Sequence, residues 1–361
     1  MSRAFNFSAG PATLPESVLV QVQEELLEWQ GERASVLEVS HRGKAFIDCA
    51  AQAEADLRHL LGVGDDYAVL FLQGGATTVS ALLPMNLARA DQTGEYLLTG
   101  HWGEKALENA KASLNTHVVA SDKVNAYRNI PGNDSWQRAG NAAYFHYTSN
   151  ETIHGVEFAD IPDVGDVPLV ADFSSNFLAR PVDVNRFGMI YAGAQKNLGP
   201  AGITIAVIRK DLLGRHERDL PPIFEWQNQV KNDSMFNTPP TFPWYVVGLV
   251  LKWMIAEGGT EVFARRNAEK AALLYRTIDG SGGFYRNEVA VSARSTMNVP
   301  FILKDEALDK AFLKESETAG LMGLKGHRAL GGMRASVYNA MPLSGVQALA
   351  DFMGDFAVRH G

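Results

Sequence analysis

The chain has 361 residues, 46% of them hydrophobic and 20% charged, with a net charge of −8. That length suits two domains, or one large domain with a smaller one, better than a single core. The acidic balance argues against a general nucleic-acid binder, and the single cysteine, Cys49, excludes an internal disulfide and fits a reducing, cytoplasmic setting.

The N-terminal stretch MSRAFNFSAGPATLP has no apolar core of the kind a signal peptide needs. A first helix is predicted from Thr13: Thr13 and Glu16 have capping-box spacing, Pro15 falls in the first turn and Gly31 ends the run. A second helix is predicted over 44–61, stopped by Gly62. Short apolar runs at 67–72, 95–99, 116–120, 143–147, 169–172 and 189–192 read as buried strands, with helical stretches such as 104–113 between them. Pro239-Pro240 precedes the most apolar helix, whose core at 244–255 is too short to span a bilayer and carries Lys252. A long helix is predicted over 260–279. Beyond it come a strand at 298–303, a helix at 305–318, a strand at 334–338 and a closing helix at 343–360. The alternating first part predicts an α/β fold with a largely parallel sheet, and the last part a smaller α+β unit. Sites in such sheets form at the carboxyl ends of the strands.

Five candidate groups fall at those ends. Ala192-Gly-Ala-Gln-Lys196 runs from a strand into a lysine among small residues, where a water-poor setting lowers an amine's pKa and makes it a nucleophile. Leu169-Val-Ala-Asp172 ends a strand in a carboxylate suited to pair with a protonated pyridine nitrogen. Gln73-Gly74-Gly75-Ala76-Thr77-Thr78 turns from strand to helix and offers N–H groups to a phosphate, without a Walker pattern. Trp102 can stack on a planar ring, and Thr152 can donate to a phenolic oxygen. Taken singly, each has a plainer reading: a surface lysine, a helix-capping aspartate, a common Gly-Gly turn, a core indole, a turn threonine. Together, in chain order, they form a phosphate loop, a stacking aromatic, a ring acid and a Schiff-base lysine.

The ordered segments Phe5-Asn-Phe-Ser-Ala-Gly-Pro-Ala12, Val39-Ser-His-Arg-Gly-Lys44, Ser149-Asn-Glu-Thr-Ile153, Gly193-Ala-Gln-Lys-Asn-Leu-Gly-Pro-Ala-Gly202, Met235-Phe-Asn-Thr-Pro-Pro-Thr241 and Gly331-Gly-Met-Arg-Ala-Ser336 carry a further reading. Over essentially its whole length the chain resembles the phosphoserine aminotransferases. The resemblance implies a fold-type I enzyme dependent on pyridoxal 5′-phosphate (PLP). Residues 16–265 would form a large PLP-binding domain with a mostly parallel sheet flanked by helices. Residues 1–15 and 266–361 would form a small α+β domain. It implies a homodimer with shared active sites and no nucleic-acid or membrane partner. The activity implied is ping-pong amino transfer between glutamate/2-oxoglutarate and 3-phosphohydroxypyruvate/O-phosphoserine in serine biosynthesis, extending to the phosphohydroxythreonine step of PLP biosynthesis.

The resemblance also implies roles. Lys196 corresponds to the Schiff-base lysine and general acid/base, and Asp172 to the partner of the ring nitrogen. Trp102 corresponds to the stacking residue and Thr152 to the donor to the phenolic oxygen. Ala76, Thr77 and Gln195 would bind the cofactor phosphate, with Asn237 and Thr238 reaching it from the other subunit. His41, Arg42, His327 and Arg328 would hold the substrate's distal anion, and Arg334 its α-carboxylate. One departure is Thr77, where some relatives carry an arginine. A neutral-amino-acid aminotransferase would not need two His-Arg pairs. A cysteine desulfurase would need a mobile nucleophile where Cys49 lies in a predicted helix. An effector-binding module would not need the intact lysine and aspartate.

Overall fold

Residues 3–361 are described by the computed structural model. The chain opens with β1 (Phe5–Asn6), α1 (Glu16–Glu25) and α2 (Lys44–Leu61). Then follow β2 (Tyr67–Gln73), α3 (Ala76–Leu87), β3 (Thr93–Leu98), α4 (His101–Ala110), β4 (Asn115–Ser121) and β5 (Ala142–Thr148). A two-stranded pair, β6 (Asn150–Glu151) and β7 (Val156–Glu157), leads to β8 (Leu169–Asp172), β9 (Met189–Gly193) and β10 (Ile203–Arg209). The predicted strands of this part are all present, displaced by at most two residues at an end.

The seven long strands form one sheet in the order β2-β10-β9-β8-β5-β3-β4. Six run in the same direction, and β10 alone opposes both neighbours. The sequence reading assigns no strand to Ile203–Arg209. Its apolar run is buried on both faces, so it lacks the alternation that marks a strand, and only the gap between β2 and β9 decides its place.

Helices cover both faces. On one, α2 and α6 (Thr241–Ala256) bury Phe46, Leu57, Trp244 and Leu251 against the sheet. On the other, α3 and α4 bury Val79, Leu83 and Leu107, with Trp226 of α5 (Trp226–Lys231). α6 is apolar nearly all round because it is enclosed nearly all round. Among the described residues no helix is long and apolar enough to cross a membrane.

Local signals set α2 well. Gly62 takes φ +66° and its N–H closes the helix on the Arg58 carbonyl. They mislead at α1. The predicted capping box does not form: the helix starts at Glu16, after Pro15 in an extended conformation and with no side-chain cap. Pro15 disfavours helical backbone at Leu14, so Thr13 cannot lead directly into the helix. The helix also ends at Glu25 rather than near Gly31. Trp29 is fully buried edge-on to Tyr245, 5.8 Å away, and Gln30 and Gly31 adopt positive φ to turn the chain around it.

After α6, the long α7 (Gly259–Asp279) leads to β11 (Tyr285–Arg286), β12 (Asn298–Leu303), α8 (Asp309–Thr318), β13 (Leu321–Met322), β14 (Met333–Ser336) and α9 (Leu343–His360). α8 starts later than predicted because 306–308 form a 3₁₀ turn capped by Asp305, which accepts from Ala307 N. β11, β12 and β14 make a three-stranded sheet packed with α7, α8 and α9 around Phe301, Phe312, Leu349 and Phe356. β1 pairs with β13, and Phe7 enters the same cluster.

Candidate active site

The six strands of common direction share a carboxyl edge, and five of their ends carry the candidate residues. β2 ends before Gly74-Gly75, and β3 before Thr99-Gly100 and Trp102. β5 ends before Thr152, β8 at Asp172, and β9 before Gln195-Lys196. The strand pairing thus gathers residues spread over more than a hundred positions.

At the centre, Lys196 Nζ donates to Thr152 Oγ1 at 2.6 Å and lies 5.0 Å from the centre of the Trp102 ring. Burial pulls the Lys196 amine down to about 8, against the opposing charges of Asp172 and Glu151. Asp172 is buried and accepts from Ser174 N at 2.8 Å. Burial raises its carboxyl, and the Lys196 charge works against that rise.

Glu151 is a residue the sequence reading missed. It is fully buried, and its carboxylate accepts from Trp102 N at 3.0 Å and Gly103 N at 2.8 Å. It therefore caps α4 from across the sheet edge and holds the turn that carries Trp102. Burial pushes this carboxyl up to about 7, with the two N–H donors opposing the rise. Gly100 leaves room for it, since a Cβ there would lie 2.4 Å from Glu151 Cδ. Only adjacency to Thr152 hinted at this role, because the donors lie 48 and 49 residues away.

A polar cradle lies beside this centre. A Cβ placed on Gly193 would sit 3.5 Å from Gln195 Oε1, 3.6 Å from Ala76 N and 3.7 Å from Ser174 Oγ. These groups converge on one small space at the start of α3, whose first turn has no side-chain cap. Unspent N–H groups at a helix start favour an anion such as phosphate. Gly74 makes the entry possible: it holds φ +90°, and a Cβ there would come 2.6 Å from Thr78 Oγ1. Thr77 lies exposed on the rim. Asn237 and Thr238, both exposed, meet the end of β2, where Gln73 Nε2 donates to Asn237 Oδ1 at 2.9 Å and to the Thr238 carbonyl at 3.1 Å.

The basic candidates fall into two groups. Arg334 on β14 has a buried Nε with no partner, and burial lowers its guanidinium pKa. His327 and Arg328 lie on the loop between β13 and β14. The His327 ring is 5.8 Å from that of His101, and burial followed by nearby His101 lowers its pKa. His41 and Arg42 instead line a separate cavity of about 600 Å³ with Lys231, Asp233 and Trp244. Among the described residues, no hydrogen bond or ion pair joins His41 or Arg42 to Lys196, Arg334, His327 or Arg328. One chain alone does not assemble both His-Arg pairs on one ligand.

Among the described residues no group of His, Cys, Asp and Glu is placed to hold a metal ion. Burial pushes the Cys49 thiol up to about 11, so it is not poised as a nucleophile.

The class-V aminotransferase family model matches residues 4–349. The chain is 59% identical to a phosphoserine aminotransferase of Stenotrophomonas maltophilia (strain K279a) over 361 residues, covering 100% of both chains. Its structure is similar to the phosphoserine aminotransferase from Bacillus circulans subsp. alkalophilus, with a TM-score of 0.97, 48% identity and 99% of each chain covered. It is also similar to PLP-bound phosphoserine aminotransferase from Trichomonas vaginalis, with a TM-score of 0.93, 39% identity, and 98% and 100% of the two chains covered.

Proposed function

The chain belongs to the class-V aminotransferases, and from that premise we propose that it moves an amino group between glutamate and 3-phosphohydroxypyruvate, forming O-phosphoserine and 2-oxoglutarate. The observation that carries this reading is a buried amine, Lys196, set below a cluster of basic side chains that have no carboxylate partner. Arg334, His327 and Arg328 form no ion pair among the described residues, and a substrate anionic at both ends would supply what they lack. The phosphohydroxythreonine reaction of PLP biosynthesis has the same two anions and falls within the same proposal.

The cofactor is pyridoxal 5′-phosphate. The residues fit it. The cradle of Ala76 N, Ser174 Oγ and Gln195 suits its phosphate, Trp102 its ring face, Asp172 its ring nitrogen and Thr152 its phenolic oxygen. Lys196 is the residue assigned to hold it as a Schiff base. When bound, it supplies a ring system that withdraws the negative charge developing at the substrate's α-carbon.

The protein's own groups do the rest. Arg334 orients the substrate by a two-pronged grip on the α-carboxylate. Lys196, with a pKa near 8, is neutral in a useful fraction at physiological pH. With its amine free, Lys196 would serve as the general acid/base that takes the proton from the substrate's α-carbon and gives it back in the transfer. Asp172 would hold a proton on the ring nitrogen, which it does best as a carboxylate. Because one site serves both amino acids, the first oxo acid leaves before the second enters, giving ping-pong kinetics.

The unit is proposed to be a homodimer. Asn237 and Thr238 of the partner subunit would reach the cofactor phosphate, and the twofold partner would bring His41 and Arg42 to the distal anion. Exposed Ile47, which lines the cavity of His41 and Arg42, and exposed Phe236 beside Asn237 support a covered surface there. We further propose that residues 16–265 form the large domain and residues 1–15 with 266–361 the small one, residues 1 and 2 lying outside the described residues, and that the enzyme works in the cytoplasm without membrane or nucleic-acid partners. The test is amino transfer from glutamate to 3-phosphohydroxypyruvate by the PLP-loaded protein. Turnover with neutral oxo acids but not with this one would refute the substrate assignment.

A further inference from the structure

At the mouth of the site one basic side chain remains unused. His101, the first residue of α4, stands edge-on to Trp102 at 5.3 Å and 79°, and its ring is 5.8 Å from His327 at 45°. Trp102 in turn lies 5.0 Å from Lys196 Nζ. The imidazole therefore bridges the aromatic plate beside the reactive amine and the loop bearing His327 and Arg328. We propose that His101 reads the distal phosphate of the substrate, binding it in protonated form together with His327 and Arg328. This rests on the phosphoserine reading above and adds a residue to it.

The surroundings leave His101 free for that task. Its main-chain N–H is directed to His154 Nδ1 at 3.4 Å, while its ring nitrogens make no hydrogen bond among the described residues. The charged groups facing it are Glu104, Lys105 and Glu108 from α4, His327 and Arg328 from the loop after β13, and His154 from the segment after β6. Both glutamates oppose the fall in its pKa, yet each is bonded elsewhere. Glu104 is held by Lys123 at 2.6 Å and Tyr127 at 2.8 Å, and Glu108 by Lys105 at 2.6 Å. Three basic groups, His101, His327 and Arg328, thus crowd together with no ion pair to a carboxylate among the described residues.

Burial, then Lys105, lowers the His101 pKa, and burial, then His101, lowers that of His327. A dianion lying against the edges of both rings reverses both effects. Binding should then take up protons, and selectivity for phosphate should be greatest below the bound-state pKa of His101 and fade as pH rises through it. The substrate phosphate reaches its second ionisation at about pH 6, so tight binding is confined to a window above that.

The experiment compares kcat/KM for phosphoserine and alanine in the holoenzyme between pH 6.5 and 8.5. His101→Asn should lower the phosphoserine value by about tenfold near pH 6.5, with a much smaller change for alanine and a shallower fall of the ratio with pH. His101→Lys, which keeps a positive charge throughout, should hold the ratio at the alkaline end, where wild type loses it. A second measurement needs no turnover. In histidine-labelled holoenzyme, the NMR resonance missing from His101→Asn should titrate at higher pH when 3-phosphoglycerate, a phosphorylated carboxylate with no amino or oxo group to exchange, is added. A ratio in His101→Asn matching wild type at every pH, or an unmoved titration, overturns the assignment of His101 while wild-type phosphoserine turnover stands. Loss of phosphoserine turnover in the wild type itself would overturn the substrate reading and this inference together.

Discussion

Glu151 offers a test of the site's electrostatics that needs neither substrate nor cofactor. Its carboxyl is fully buried, and its pKa rises from the usual 4.5 to about 7. A raised folded-state pKa means that the native protein binds this proton more tightly than the unfolded chain. The resulting stability is fully present below pH 4.5 and is lost as pH rises through about 7. Between pH 5 and pH 8 the loss is about 2–3 kcal/mol. Glu151→Gln removes the titration while keeping one oxygen to accept from the Trp102 or Gly103 N–H. Urea unfolding of the cofactor-free proteins across that range should therefore show the variant gaining on wild type by about that amount as pH rises. Glu151→Ala should behave differently: two N–H donors lose their acceptor, at a cost of about 1–3 kcal/mol each, and the cost should be plainest at pH 5. A constant wild-type-to-Gln difference across the whole range would show that Glu151 does not titrate as its burial requires.

Three other outcomes follow from the proposed roles. Lys196→Ala should lose the visible absorbance of covalently held cofactor and nearly all turnover, and normal turnover in this variant would sink the assignment. Asp172→Asn should still bind PLP, yet slow proton removal from the substrate by roughly ten- to a thousandfold, the range expected when an attraction of up to about 4 kcal/mol is weakened; an unchanged single-turnover rate would mean another group partners the ring nitrogen. Arg42→Ala should cut kcat/KM for glutamate and phosphoserine by about ten- to over a hundredfold, since a charge-assisted hydrogen bond is worth about 1.5–3 kcal/mol, while alanine changes far less. Arg42→Lys should recover only part of that loss, and an unchanged phosphoserine-to-alanine ratio would remove Arg42 from the distal site.

What the sequence determined by itself is whatever short-range chemistry controls. α2 runs from Lys44 to the left-handed Gly62, and α9 spans 343–360 as the apolar pattern predicts, because caps and periodicity act within a few residues. The strand ends carrying Thr152, Asp172 and Lys196 were legible for the same reason, since each motif is a local turn after an apolar run. Long-range packing overrode local signals at α1, where burial of Trp29 ends the helix early, and it alone placed β10 between β2 and β9. It also made the site's electrostatics. Glu151 meets the N–H groups of Trp102 and Gly103, and His101 meets His327, only after the parallel strands have aligned their ends. The same packing set His41 and Arg42 in a cavity apart from Lys196. A carboxylate's proton affinity and an arginine's partner depend on groups that share its space, and the sequence orders those groups along the chain while only the fold brings them within a few ångströms.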